Sequence, residues 1–196
     1  MLSRSVQQSS ACENFDGRSF VQKSELELPA FLAKLKSMWK ETLAMRAFGW
    51  AKIPLLAFCS PSVLEINSKR CEVKLPLGWR TKNHLGSMYF GALAVGADCA
   101  GGLIAFRMIQ NSGAKVSLVF KDFTAQFHKR PEADVHFICE DGEAITALVR
   151  AAEASEERQN LAVKIRAVCP SISTTDVVAD FVLTLSLKKK TSKSKA

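Results

Sequence analysis

The chemistry-bearing residues of this chain fall in one short segment. Asn83-His84-Leu85-Gly86-Ser87-Met88-Tyr89-Phe90-Gly91 leads into an apolar run, and Asp98 stands seven residues beyond Gly91. Seven residues are close to two helical turns, so Gly91 and Asp98 share a face if the run is helical. Gly86 suits a turn and Ser87 an N-cap, which together mark a helix start. Backbone N–H groups left unpaired at such an end can hold a carbonyl oxygen on which negative charge develops. A carboxylate further along an apolar helix is costly unless something uses or neutralises it. Desolvation raises its pKa, which suits it to general-base work.

Each of these residues also has a structural role open to it. Asn83 can cap its own loop, and Ser87 can be an N-cap and nothing more. Asp98 can be a buried carboxylate paired with Arg107, Lys115 or a cation of a partner chain. Gly91, Gly96, Gly101 and Gly102 suit close packing of a helix on a sheet. Cys99 lies about 100° round the helix from Asp98 with no histidine near it in sequence, which reads as a core thiol. His128 and His136 fall on strands as half-buried structural residues.

Six cysteines (Cys12, Cys59, Cys71, Cys99, Cys139, Cys169) include no CxxC pair, and His84, His128 and His136 form no metal-binding spacing. They read as free thiols of a reducing, cytoplasmic compartment, with neither metal nor cofactor expected. A GxSxG elbow, a GxGxxG turn and a P-loop lysine are all missing. That disfavours an α/β-hydrolase, dinucleotide chemistry and nucleoside-triphosphate chemistry.

The elements that must position Asp98 can be read from periodicity. Gly86–Ile109 is apolar on every side and rich in Gly and Ala, which predicts a buried central helix at about 87–109. A carboxylate at its middle would cost about 2.5–3.5 kcal/mol in a bilayer, so a membrane span is disfavoured. Alternation predicts strands at Val63–Asn67, Cys71–Leu77, Val116–Phe127, Val135–Cys139, Leu161–Cys169 and Val177–Leu187. Glu143–Glu157 reads as a short amphipathic helix. Phe31, Leu35, Met38, Trp39, Thr42 and Met45 fall at helical spacing. They predict an N-terminal helix at about 29–49, with Pro29 in its first turn and Gly49 at its end. The sum is an α+β domain in which an antiparallel sheet wraps a helix.

The chain has 196 residues, 47% apolar and 23% charged, which is ordinary globular composition. Residues 25–187 form one expected domain, after a polar leader at 1–24 and before a basic tail at 188–196. The formal net charge of +8 falls to +3 without the five lysines of that tail. Lysines without interleaved aromatics supply a sequence-blind, salt-sensitive attraction, so no specific nucleic acid is expected.

At Asn83–Asp98 the chain resembles the hot-dog-fold thioesterases, in particular the phenylacetate-pathway-type acyl-CoA thioesterases and their uncharacterised relatives. Their signature runs Asn-x-x-Gly-Thr-x-His-Gly-Gly, then an Asp or Glu seven residues after the last glycine. Here Asn83, Gly86, Gly91 and Asp98 match without a gap, while Ser87 replaces Thr, Tyr89 replaces His and Phe90 replaces the first glycine. Phe127–Pro131 echoes an aromatic-x-Arg-Pro element of the same family. The resemblance implies a homodimer or dimer of dimers with sheets edge to edge and the active site between subunits. It implies Asp98 as base or nucleophile, Asn83 as orienting donor, and the N–H groups of Phe90 and Gly91 as oxyanion donors. Ser117 would help hold a water, and Gly86, Ser87, Met88 and Tyr89 would contact substrate. Tyr89 cannot act as a base near neutrality, unlike the histidine it replaces.

Hydrolysis of an acyl thioester such as acyl-CoA is the expected function. Arg80, Lys82, Lys129 and Arg130 could attract the coenzyme phosphates, and Phe31, Met38 and Trp39 could line an acyl channel. Two other readings stay open: a non-catalytic acyl binder of the same fold, and attachment to anionic membrane or nucleic acid through the basic tail.

Overall fold

The computed structural model describes the backbone of residues 18–190 and the side chains from residue 32 onward. The chain divides into two compact units, Met1–Ser37 and Met38–Ala196. What is described of the first is helix, the opening part of α1 (Arg18–Lys52). The expected leader therefore gives way to helix at Arg18, well before 29, and Pro29 sits inside the helix rather than in its first turn. Residues 1–17 and 191–196, including Cys12 and most of the expected tail, lie outside the described residues.

The second unit carries the end of α1, a short α2 (Pro54–Cys59) that periodicity did not announce, and then β1 (Ser62–Ile66) and β2 (Cys71–Leu75). The long α3 (Phe90–Ser112) comes next, followed by β3 (Val116–Phe127), β4 (Val135–Cys139), α4 (Gly142–Ala154), β5 (Gln159–Cys169) and β6 (Ser173–Lys189). The six strands form one sheet in the order β1-β2-β4-β5-β6-β3. Every neighbouring pair is antiparallel. Alternation explains the core, since Val73, Phe137, Ile165, Phe181 and Leu183 all face inward and are buried. The sheet wraps α3: this is the hot-dog fold.

Helix α3 lies close on the sheet because its contact face lacks bulk. A Cβ on Gly96 would run into the ring of Phe137, and one on Gly101 would come within 3.1 Å of the Ile165 side chain. Phe137 is fully buried and packs 6.2 Å from Phe181, so its ring cannot swing aside. Gly96→Ala should therefore destabilise the fold by about 1–3 kcal/mol through overpacking. An unchanged urea midpoint would contradict this packing. Among the described residues α3 is long and apolar enough to cross a membrane, but over half of that stretch is buried inside the domain.

Helix α3 ends at Gly113, whose φ of 67° is the left-handed conformation glycine adopts freely. Strand β3 bulges between Phe120 and Phe123 where it pairs with β6, and it forms one edge of the sheet. Of the histidines, His136 sits partly buried on β4 and bonds Glu72 at 2.8 Å. His128 proves exposed, just past β3, where it bonds Asp180 at 2.9 Å. The five described cysteines are buried free thiols.

Candidate active site

Asp98 reaches the surface of a cavity of about 390 Å³, within the usual range for small-molecule sites. One wall is a stripe of α3 at helical spacing: Asp98, Gly102, Phe106 and Ile109. The opposite wall comes from the end of α1 and from α2, through Met45, Phe48 and Leu56. Leu118 and Phe120 of β3 close the side. Phe48 holds the cover in place by packing 4.7 Å from Phe106.

No salt bridge or hydrogen bond reaches the Asp98 carboxylate among the described residues. Arg107, its nearest candidate partner in sequence, pairs with Glu41 at 3.1 Å instead. Burial alone pushes the Asp98 carboxyl up, from 3.8 to about 6. The same burial raises the Cys99 thiol well above its ordinary value, with the Asp98 charge adding to it, so Cys99 is no thiolate nucleophile. Asp98 is thus a partly buried carboxylate of raised pKa, unpaired among the described residues and facing an apolar cavity.

The helix start is built separately. Tyr89 is the N-cap position, and no side chain caps the helix there. The N–H groups of Phe90, Gly91 and Ala92 thus lack intrahelical acceptors. Leu93 is the first to bond back, to the Tyr89 carbonyl. The preceding loop is pinned from both sides: the Met88 N–H bonds Pro131 and the Tyr89 N–H bonds Thr81. Phe90 points outward, 62% exposed, while the Tyr89 ring packs 4.6 Å from it and lies against Gly91.

Several expected roles change here. Ser87 is not the N-cap; it is buried and accepts a hydrogen bond from Asn83 Nδ2 at 3.1 Å. Asn83 Oδ1 accepts from the Leu85 N–H at 2.9 Å, so its amide is spent on its own loop. Gly86 makes the turn with φ of 83°. Met88 belongs to the core, 2% exposed, and is unsuited to contact substrate. Tyr89 remains half exposed with its ring against Phe90. Ser117 reaches the Asp98 cavity, but its hydroxyl donates to the Lys188 carbonyl at 3.0 Å.

Within one chain the two halves of the site stay apart. None of Asn83–Gly91 lines the Asp98 cavity. Gly91 and Asp98 are about 10 Å apart along α3, too far for one carbonyl to touch both. Near the helix start, Lys82 and Arg130 are exposed, and no ion pair involves either among the described residues. Lys129 is taken by Asp176, and Arg80 lies over Trp79 and Phe58. The lining expected from Met38 and Trp39 does not form. Trp39 is 70% exposed, Met38 does not line the cavity, and the Phe31 side chain lies outside the described residues. Met45 and Phe48, a turn or two later on α1, take that place. The missed signal was Phe48: with Met45 and Thr42 it marks the inner face of α1. Among the described residues no cluster of side chains could hold a metal ion.

Residues 42–186 match the family described as a domain of unknown function, DUF4442. The chain belongs to that family. Solved structures agree on the fold. A Shewanella oneidensis protein designated a candidate thioesterase superposes with TM-score 0.63 at 13% identity, covering 78% of this chain and 100% of that one. A Pseudomonas aeruginosa protein of unknown function, designated a probable thioesterase, gives 0.60 at 20% identity over 76% and 96%. A mutant thioesterase from the same organism gives 0.57 at 14% identity over 75% and 93%. No curated protein matches. The DUF4442 match takes in the last helical turns of α1, and with them Met45 and Phe48.

Proposed function

We propose that this DUF4442 protein hydrolyses an acyl thioester, with acyl-CoA as the substrate class and ionised Asp98 as general base or nucleophile. The observation that carries the reading is an unpaired carboxylate of raised pKa facing an apolar cavity on a hot-dog fold. As base, Asp98 takes a proton from water as its oxygen bonds to the thioester carbon. The tetrahedral oxyanion then collapses, the carbon–sulfur bond breaks, and the thiolate leaves to be protonated. As nucleophile, Asp98 forms an acyl anhydride that water cleaves.

The oxyanion donors in this proposal are the N–H groups of Phe90 and Gly91. Their distance from Asp98 in one chain requires that they come from a second copy, as in a homodimer. The edge strand β3 supports such pairing, since it is twelve residues long and exposes Val119, Phe123 and Phe127. A long apolar edge of this kind needs covering. Asn83 and Ser87 then act by holding the loop that presents the helix start. Lys82 and Arg130, beside that loop, suit the coenzyme phosphates.

Thiol release from an acyl-CoA panel tests the reading directly. The rate should rise as pH increases through about 6, because only the ionised carboxylate can accept a proton or attack. Absence of thiol release from every thioester would refute hydrolysis. The separation of Asp98 from the helix start in one chain favours one other reading, an acyl binder without turnover. It would give a ligand-induced rise in melting temperature and no thiol.

A further inference from the structure

Resting on that reading of Asp98, we propose that the cavity beneath the end of α1 and α2 is an acyl-chain groove, and that it selects linear aliphatic chains of about a dozen carbons. Its floor is the α3 stripe running from Asp98 through Gly102 and Phe106 to Ile109 and Gln110. Twelve residues separate Asp98 from Gln110, so the groove runs about 18 Å at 1.5 Å per residue. An extended alkyl chain advances about 1.3 Å per carbon, given C–C bonds near 1.5 Å, so about 12–14 carbons span it.

The occupant follows from the walls. Phe48, Leu56, Phe106 and Phe120 offer apolar surface from both sides. At Gly102 the floor and the Phe120 wall meet: a Cβ there would come within 3.2 Å of the Phe120 ring, so a larger side chain would displace that wall and distort the groove. Polar groups stand at the ends, with Asp98 at one and Gln110 and Lys190 at the other. A thioester carbonyl at Asp98 thus places its alkyl tail along the stripe, and the tail's length is read at Ile109. This site is covered by residues of the same chain, so it does not depend on how copies pair.

Chain-length profiles test the groove. Butanoyl-, octanoyl-, dodecanoyl- and hexadecanoyl-CoA are compared with the aromatic phenylacetyl-CoA on the full-length protein and on Ile109→Trp and Ile109→Ala. The wild type should favour dodecanoyl. Ile109→Trp should lose it by at least about tenfold, as methylene-scale misfits do in apolar pockets, and retain butanoyl within about twofold. Ile109→Ala should move the optimum toward hexadecanoyl. A wild type that prefers phenylacetyl-CoA, or an Ile109→Trp that slows every chain equally, overturns the groove while leaving hydrolysis intact.

If nothing is hydrolysed, the groove is still tested with S-dodecyl-CoA, a thioether that cannot turn over. It should raise the melting temperature of the wild type and of Ile109→Ala but not that of Gly102→Leu. Circular dichroism confirms that each variant is folded. Equal shifts in all three, or none in the wild type, overturn it.

Discussion

Asp98→Asn is expected to lower thioester hydrolysis by about 10²–10⁴-fold while leaving the binding of acyl ligand in place. The substitution keeps the shape of the side chain and removes its negative charge. Asparagine cannot take a proton from water or form an anhydride, so both routes open to Asp98 close together. The cavity walls do not depend on the charge: Phe48 packs on Phe106, and Met45 and Leu56 are buried without reference to the carboxylate. The loss should therefore fall on kcat, with KM little changed. Steady-state kinetics on a thioester that the wild type turns over measures this. A residual rate within threefold of wild type would remove Asp98 from the chemistry.

The same substitution should stabilise the protein above pH 6, by about 2–3 kcal/mol. Burial lifts the Asp98 carboxyl from 3.8 to about 6, and no cation or hydrogen-bond donor among the described residues offsets the shift. Each unit of pKa is worth about 1.4 kcal/mol between the protonation states. The folded-state pKa lies above the unfolded one, so the folded chain holds the proton more tightly between the two values. Stability is greatest with respect to this group below about pH 4. It is lost as pH rises toward 6, and the full penalty applies beyond. For a domain of this size the gain in Asp98→Asn corresponds to roughly 5–10 °C in melting temperature at pH 7.5. At pH 4 the two proteins should melt nearly together. A gap that is independent of pH would show that Asp98 is neutralised by a partner.

These two expectations describe one trade. A catalytic carboxylate that is paired would be stable and inert, and one left in water would have too low a pKa to make a good base near neutrality. Arg107 stands about 13 Å further along α3 and on its opposite side, where it pairs with Glu41 at 3.1 Å, so it does not neutralise Asp98.

Much of the frame was legible because its signals are local. The strand Val135–Cys139 and the β3 span Val116–Phe127 follow from alternation and β-branched content, and they match the structure residue for residue. The all-round apolarity of α3 announced a helix inside the domain. Its ends were less legible: Ser87 looks like an N-cap, yet Tyr89 holds that position because Met88 and Tyr89 pair with Pro131 and Thr81. α2 is six residues opening at Pro54, under two turns and too brief to show a period.

The candidate site divides along the same line. Residue types and spacing were enough to place a lone acid mid-way along a buried helix, glycines on the helix face toward the sheet, and free N–H groups at the helix start. Those facts depend on residue type and on periods of two or 3.6, which are local. What the acid faces, the closing of its own loop by Asn83, and the cover of the cavity by Met45 and Phe48 instead of Trp39 emerged only once the elements packed. Such outcomes depend on which groups meet across long stretches of chain. Docking geometry selects among several partners that the composition permits equally.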